Sequence, residues 1–347
     1  MSGRRRYATQ ADIAALAGVS RATVSLAIKG SPHVSSEKRE RVLAAAESLG
    51  YVNNAIASAL AGNRSRLLIG LLVQSLSNPV FTDVHEAIEA VLGPSGHSAL
   101  IMCGGVEKGV EDAALRTLTS LRPDGIMLAG YSGSTSSLYR AVQAVPVVSI
   151  TREIVPPPST REDRTGRRPV IRSVVNDDRG GAALATEHIL SLGHTRVVHI
   201  RLPRPLPYEE RVRGYREVMK AGALPPRSVP APITVEGAMR VARKELSRTP
   251  PPTAFFCGND VQALGVLDAV ADLGLVAGRE VSVVGYDNTS IGARAGLTSV
   301  DQHARALGTI AARAMLRALG RADVEEPGTP PAPVLVQRAS SAPPTTT

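Results

Sequence analysis

Four side chains between residues 21 and 26 could contact DNA bases from one face of a short helix. In the segment 21–29, Val24, Ala27 and Ile28 share one face by the three- and four-residue spacing of a helix, and that apolar face must be buried. The opposite face carries Arg21, Ala22, Ser25 and Leu26. A guanidinium, a hydroxyl and apolar groups are what a recognition helix presents to base edges in the major groove.

A tight turn must hold that helix against another one. Thr9 is a suitable N-cap for a helix over residues 10–17, and Ser20 for the helix that begins at Arg21. Gly18 lies between the two helices, where the turn needs a positive φ. The pattern predicts a helix-turn-helix.

Two further helices are expected in this N-terminal region. A third one, capped by Ser35, is predicted from about Ser36 to Leu49, with Val42, Leu43, Ala46 and Leu49 facing inward. A short helix follows over residues 53–61. A helical bundle that does not bind DNA is the alternative, and the turn and the charge weigh against it.

The positive charge of the chain is concentrated in its first 66 residues. The 347 residues contain 40 Lys and Arg against 31 Asp and Glu, a formal net charge of +9. Residues 1–66 hold ten basic against four acidic side chains, or +6, which leaves 30 against 27, or +3, for the remainder. A basic head on a nearly neutral body indicates a polyanionic partner, and a solubilising tail is the alternative. Aromatic residues make up only 3%, which argues against stacking platforms for single-stranded nucleic acid.

The sequence predicts a cytoplasmic location and no membrane span. The longest apolar runs, such as residues 67–73, are only of strand length. The arginines at residues 4–6 superficially resemble a twin-arginine export signal, but Asp12 and Arg21 interrupt the stretch that follows. Cys103 and Cys257 are expected to be buried free thiols, as suits a reducing compartment.

From residue 67 onward, strand-like apolar runs alternate with helical patterns, which predicts parallel, doubly wound α/β sheets. Strands are predicted at 67–73, 98–103, 125–129, 147–150, 172–175, 197–200, 254–257 and 282–285. Eight strands in two groups of four suggest two similar subdomains, split near residues 152–170. The loop 152–169 holds five arginines and three consecutive prolines and is expected to be a mobile surface insertion, with a second nucleic-acid contact as the alternative.

The chain shows no catalytic set, so no enzyme, metal or cofactor is predicted. The segment 130–134 lacks the final glycine of a nucleophile elbow. His188, His194 and His199 fall on a predicted helix, turn and strand, in a spacing that suits no common zinc site. Neither a P-loop nor a G-x-G-x-x-G motif is present.

An ordered set of motifs resembles the lactose-repressor (LacI/GalR) family of transcription regulators. The matching segments are residues 9–25, 33–36, 49–62, 69–81, 192–194, 258–260, 282–287, 297–302 and 335–340. The resemblance implies a DNA-binding head at 1–62 with a hinge helix at about 53–61. It also implies a two-lobed body at 63–340 like a type I periplasmic binding protein, which would bind an effector between the lobes and form the dimer. Residues 341–347 are expected to form a disordered tail.

The resemblance assigns roles in DNA binding to single residues. Arg21, Ala22 and Leu26 would occupy the base-reading positions, and Thr23 and Ser25 would contact phosphates. The family usually has arginine at position 26, so leucine predicts a different half-site, in which it could pack on a thymine methyl. In the hinge, the implied minor-groove residues are Asn54, Ala57 and Leu60, with Leu60 as the apolar wedge at the central base step.

The resemblance also implies effector contacts by Phe81, Arg211, Asn259 and Asp287. Thr151 stands where an aspartate is frequent, and no aromatic residue lies at 233–237, so a sugar, a nucleoside, another small polar metabolite or no ligand all stay open. The expected function is a repressor that binds a pseudo-palindromic operator as a homodimer. The alternatives are a related regulator without effector control, and a solute-binding protein with a nonspecific basic head.

Overall fold

The computed structural model describes residues 8–28, 30–51, 67–105, 107–142, 145–155, 170–203 and 208–345. The chain divides into two compact units, residues 1–66 and 67–347. The predicted hinge helix lies outside the described residues, and so do Asn54, Ala57 and Leu60. Residues 156–169 of the arginine- and proline-rich loop also lie outside them.

The first unit contains three described helices, α1 (Gln10–Ala17), α2 (Arg21–Ile28) and α3 (Ser36–Ser48). The predicted caps of the first two are present. Thr9 and Asp12 form a reciprocal capping box, and the Thr23 amide donates to Ser20 Oγ at 3.1 Å. Gly18 ends α1 with a φ of 63°. Among the described residues no single helix could span a membrane; only α1 and α2 taken together, across a bend of 103°, pass by length and composition.

A small core joins the three helices, with Ile13, Val24 and Val42 fully buried. Two of the predicted inward residues are wrong, since Leu43 is 50% and Leu49 is 37% exposed. Leu43 is one residue, or about 100° of helical rotation, away from Val42, and Leu49 lies beyond the last helical residue. Ser35 occupies the N-cap position of α3, but its side chain makes no capping hydrogen bond.

The second unit begins with a five-stranded parallel sheet in the order β2-β1-β3-β4-β5. Its strands are β1 (Leu68–Val73), β2 (Ser98–Cys103), β3 (Gly125–Ala129), β4 (Val147–Ile150) and β5 (Ile171–Val174), and the helices between them are α4 (Val80–Leu92), α5 (Lys108–Ser120) and α6 (Thr135–Val142). Alternate residues of β1 pack on opposite faces, because Leu71 joins the core under α4 whereas Leu72 joins the core under α5 and α6.

The second sheet has six strands in the order β11-β10-β9-β8-β6-β7, and only β11 is antiparallel to its neighbour. Its strands are β6 (Val197–Arg201), β7 (Arg227–Pro230), β8 (Ala254–Cys257), β9 (Ser282–Tyr286), β10 (Thr298–Asp301) and β11 (Val334–Val336). The helices are α7 (Asp178–Ser191), α8 (Glu209–Ala221), α9 (Val235–Leu246), α10 (Asp260–Asp272), α11 (Ser290–Arg294) and α12 (Ala304–Ala318).

The predicted split into two groups of four strands is wrong, because the lobes are not continuous in sequence. β5 pairs with β4 in the first sheet, with Ile150 opposite Val174. After β10 the chain returns to the first lobe, where α12 packs beside α4 in the core of the first sheet, and β11 then rejoins the second sheet. The chain therefore passes between the lobes three times. Of the strands that the apolar pattern missed, β7 and β10 are short and partly polar, and β11 is apolar but only three residues long.

Two other expectations are corrected. The predicted disordered tail is wrong for its described part: the Ala342 amide donates to Ser282 Oγ at 3.0 Å, and Ser341 Oγ lies 2.9 Å from His188 Nε2. Cys257 is a buried free thiol as predicted, but Cys103 is exposed, because β2 is an edge strand of its sheet.

Candidate functional sites

The outward face of α2 carries the predicted base-reading side chains. Arg21, Ala22 and Leu26 are exposed, and Thr23 and Ser25 are partly buried. Leu26 is 41% exposed although it is apolar. Thr23 is committed to the start of the helix, since its Oγ1 lies 2.8 Å from Ser20 Oγ. The first unit thus presents a guanidinium and two apolar side chains on one exposed helix face, which suits contacts with base edges.

Two arginines of α3 hold the turns around α2. Arg41 Nη2 donates to the carbonyl of Ala17, at the C-terminus of α1, and Arg39 Nη2 donates to that of Ser31 at 2.5 Å. A cation at a helix C-terminus interacts favourably with the helix dipole. Charge counting included both arginines among the ten basic side chains of residues 1–66 and gave neither a structural role. Their structural role depends on contacts 24 and 8 residues away in sequence, which no local pattern signals.

All four predicted effector residues line one cavity between the two lobes. Phe81 lies in the first turn of α4, Arg211 on α8, Asn259 at the N-cap of α10 and Asp287 directly after β9. The cavity volume is about 20 Å³, which is room for about one water molecule. The carboxyl ends of parallel strands are where open α/β sheets bind ligands, and the lobes are closed over that position here.

Arg211 is the centre of this site. Its side chain is 2% exposed, Nε donates to Asp178 Oδ1 at 3.0 Å and Nη1 to the Gly258 carbonyl at 2.6 Å. The guanidinium carbon lies 3.7 Å from the ring centroid of Tyr286 and 4.8 Å from that of Tyr208. Burial alone would lower the pKa of Arg211, but Asp178, Tyr286 and Asp287 outweigh it, so the pKa lies above its ordinary value. The group is a fixed positive charge.

Asp287 connects the two lobes across the cavity. Its Oδ2 accepts from Asn78 Nδ2 of the first lobe at 2.9 Å, and its Oδ1 accepts from Gln302 Nε2 at 2.5 Å. Burial raises the pKa of Asp287 to about 7, although Arg211, whose Nη1 is 3.6 Å from Oδ1, acts to lower it. Its backbone φ is 107°, so the carboxyl group is held in a sparsely populated conformation.

A second polar contact also crosses the cleft. Tyr208 OH donates to Gln74 Oε1 of the first lobe at 3.3 Å. The sequence reasoning missed Tyr208, Asn78 and Gln302 as cavity residues. For Asn78 a signal was present, because it follows a predicted strand of a parallel sheet, where polar residues converge at one edge. Gln302 follows β10, a strand that the apolar pattern missed.

Thr151 lines the cavity in an unusual conformation. Its φ is 73°, a region that a β-branched residue rarely adopts. Its hydroxyl is buried and has no hydrogen-bond partner among the described residues. Such strain costs of order 1–3 kcal/mol and concentrates at functional positions.

The described residues include no group of three His, Cys, Asp or Glu side chains that could hold a metal ion. His199 is a buried core residue, stacked on Phe256 at 4.7 Å between ring centroids. Burial lowers its pKa to about 3, so the ring is neutral. His194 lies 2.9 Å from both Ser282 Oγ and the Ala342 carbonyl and thereby anchors the C-terminal segment.

Comparison with known proteins matches both units of the chain. Residues 9–54 match the family described as "Bacterial regulatory proteins, lacI family", and residues 186–341 match the "Periplasmic binding protein-like domain". The chain is 32% identical over 346 residues to the "HTH-type transcriptional regulator GalR" of Salmonella typhimurium, which covers 98% of each chain. It is 30% identical over 312 residues to the "Ribose operon repressor" of Halalkalibacterium halodurans, which covers 88% of each. Its fold matches the crystal structure of the Lac repressor dimer bound to operator and the anti-inducer ONPF, with a TM-score of 0.73, 25% identity and coverage of 97% of this chain and 100% of that chain.

Proposed function

The chain belongs to the LacI family of bacterial regulatory proteins, and from this we propose that it is a sequence-specific transcription regulator that represses by binding an operator. The family and the two-part fold predicted from the sequence are thereby confirmed. The observation that carries the proposal is the exposed face of α2, where Arg21, Ala22 and Leu26 stand free on a helix-turn-helix.

The regulator acts as a homodimer on a pseudo-palindromic site. The solved Lac repressor that this chain resembles over 97% of its length is a dimer bound to operator. Two-fold protein symmetry requires two half-sites related by the same symmetry. In each half-site Arg21, Ala22 and Leu26 contact bases, and Thr23 and Ser25 orient the helix on phosphates. In the hinge, Asn54 and Ala57 lie against the minor groove and Leu60 enters it.

A small, polar effector controls the operator affinity through the cleft that Phe81, Arg211, Asn259 and Asp287 line. The effector is a sugar or another small polar metabolite, and its binding changes the orientation of the lobes. Such a coupling between two sites is typically about 1–3 kcal/mol. No catalytic role is proposed for any of these residues, and the site of action is the cytoplasm, where the operator DNA is.

Selection of fragments from sheared genomic DNA by the full-length protein tests the proposal. The salt concentration must be near-physiological and fixed, because phosphate contacts alone retain any DNA at low ionic strength. Recovery of one short inverted repeat is the expected result. Retention of unrelated fragments, with or without cell extract to supply a corepressor, would contradict it.

A regulator without effector control is the second candidate, and the closed cavity favours it. The bonds Asn78–Asp287 and Tyr208–Gln74 join the lobes directly across the cavity. If this candidate is right, a library of sugars, nucleosides and amino acids will leave the thermal unfolding of the protein unchanged. A compound that raises the unfolding temperature and changes operator affinity would exclude it.

A further inference from the structure

Asp178, which lies outside the cavity, neutralises the positive charge of the Arg211 guanidinium at the centre of the cleft. Asp178 is the first residue of α7, where the chain has just entered the second lobe, and its side chain is 4% exposed. It does not line the cavity itself. Its Oδ1 accepts three hydrogen bonds, from Arg211 Nε at 3.0 Å, Tyr286 OH at 2.9 Å and Asn176 Nδ2 at 2.7 Å. These bonds hold the carboxylate against the guanidinium.

Among the described residues, carboxyl groups outnumber cationic groups in and around this cavity. Arg211 is the single cationic side chain among the described residues that line the cavity. Asp178 Oδ1 lies 3.0 Å from its Nε, and Asp287 Oδ1 lies 3.6 Å from its Nη1. Asp260, which is 1% exposed and accepts from Thr289 and Ser299, acts to raise the pKa of Asp287 as a further acidic neighbour. The two tyrosines that stack on the guanidinium carry hydroxyl groups whose pKa is raised by burial, so they stay neutral.

We propose that Asp178 makes this cleft select uncharged or cationic small molecules and reject anionic ones, such as sugar phosphates and carboxylates. The proposal rests on the proposed function in that it takes the cleft to be the effector site. An anion that reaches Arg211 meets a guanidinium already paired with Asp178, and it brings a further negative charge next to Asp287 into a site shielded from bulk solvent, where both side chains are buried. Burial of an uncompensated charge is strongly unfavourable.

Ligands with hydroxyl or ammonium groups are favoured by the same residues, because these groups donate hydrogen bonds. The cavity offers carboxylate and amide oxygens from Asp287 and Gln302, and each carboxylate oxygen can accept more than one hydrogen bond. A donor-rich ligand therefore finds acceptors without a charge penalty. Asp178 acts through Arg211 and is thus a positioning residue that sets the charge of the site.

Sulfate is a suitable probe, because it is a dianion of tetrahedral shape at every pH near neutrality. We would titrate the full-length protein with sulfate by calorimetry and compare wild type with Asp178→Asn. The amide keeps the shape and the oxygen that Arg211, Tyr286 and Asn176 share, and removes the charge. Removing one unit charge at about 6 Å, with an effective dielectric constant near 20, corresponds to about a hundredfold for each negative charge of the ligand, so sulfate affinity should rise at least about a hundredfold.

Asp177→Asn is the matched control. Asp177 is the exposed neighbour that caps α7 by accepting from the Gly180 amide at 2.8 Å, and asparagine caps equally well. It changes the net charge of the protein by the same amount, so binding of sulfate to the basic head is common to both. Asp178→Asn combined with Arg211→Gln should lose the added sulfate binding, which assigns it to the cleft.

Equal sulfate affinity of wild type and Asp178→Asn would overturn the proposal, and so would a gain of the same size in Asp177→Asn. If Asp178→Asn fails to fold, Asp178→Ser removes the same charge with a smaller side chain and is read in the same way. Operator selection is measured separately. If the protein selects an operator but Asp178→Asn gains no sulfate affinity, only the proposed rejection of anions is wrong. If Asp178→Asn gains sulfate affinity but the protein selects no operator, only the proposed regulator function is wrong.

Discussion

Replacement of Arg211 by methionine should destabilise the two-lobed unit strongly. Methionine fills much of the same volume, but it leaves Asp178, which is 4% exposed, without the guanidinium that lies 3.0 Å away. It also removes the donor to the Gly258 carbonyl. Removing one partner of a buried ion pair typically costs about 3–5 kcal/mol.

Arg213→Met on the same helix is the matched control. The Arg213 side chain is 54% exposed and pairs with Glu209 at 2.9 Å and Glu210 at 2.7 Å. Exposed pairs are worth about 0–1 kcal/mol. The two variants should therefore differ by about 2–5 kcal/mol in the free energy of unfolding.

Urea unfolding followed by far-ultraviolet circular dichroism measures this difference, since the chain has no tryptophan for fluorescence. A lower midpoint with an unchanged slope is expected for Arg211→Met. The loss should grow as the pH rises. Burial raises the pKa of Asp287 to about 7, so between about pH 4 and 7 the folded state binds more protons than the unfolded state and loses stability as the pH rises. Without the guanidinium this pKa rises further, so the stability of Arg211→Met keeps falling above pH 7, where that of the wild type is level. Two variants within about 1 kcal/mol of each other would refute the picture of Arg211 as a buried counter-charge.

Further predictions concern the DNA contacts, the turn and the pH dependence. Leu26→Arg should change the selected half-site towards guanine at one position, which fragment selection detects; an unchanged half-site would mean that residue 26 does not read bases. Leu60→Ala should weaken binding to the operator by about tenfold or more with little effect on nonspecific DNA, and equal loss on both in filter binding would rule out the wedge role. Gly18→Ala should destabilise the head by about 1 kcal/mol, because φ is 63° and the new Cβ would lie 3.1 Å from an arginine nitrogen of α3. The control is the single variant Gly109→Ala, whose Cβ lies in open space on α5 and which should lose no stability in thermal unfolding. In the wild type the raised pKa of Asp287 should make the free energy of unfolding fall between about pH 4 and 7, and Asp287→Asn should remove much of that fall. The same pH dependence in both proteins, measured by urea unfolding, would show that Asp287 is not its cause.

The helix-turn-helix could be predicted because its determinants are local. Thr9, Ser20 and Gly18 act within three residues of themselves, through caps and a left-handed turn. The apolar strands of both sheets were likewise visible as short buried runs. Leu43 was misplaced because the helical pattern of α3 permitted two inward faces, and only contacts with α1 and α2 select one.

The lobe assignment needed contacts that no local pattern contains. Whether β5 joins the first or the second sheet depends on its pairing with β4, and α12 packs more than 200 residues away from α4. The family resemblance predicted four effector contacts, which line one cavity, but it did not predict the charge balance around them. Asp178 meets Arg211 across 33 residues of sequence, and neither residue indicates the other in advance.

The central claim is that α2 reads sequence, and one affinity comparison tests it most directly. The full-length protein would be titrated at near-physiological salt with the selected inverted repeat and with the same repeat after both half-sites are scrambled. Scrambling should lower the affinity about a thousandfold or more, because specific sites exceed nonspecific DNA by at least that factor. Equal affinity for the two duplexes, with a dependence on salt alone, would contradict it.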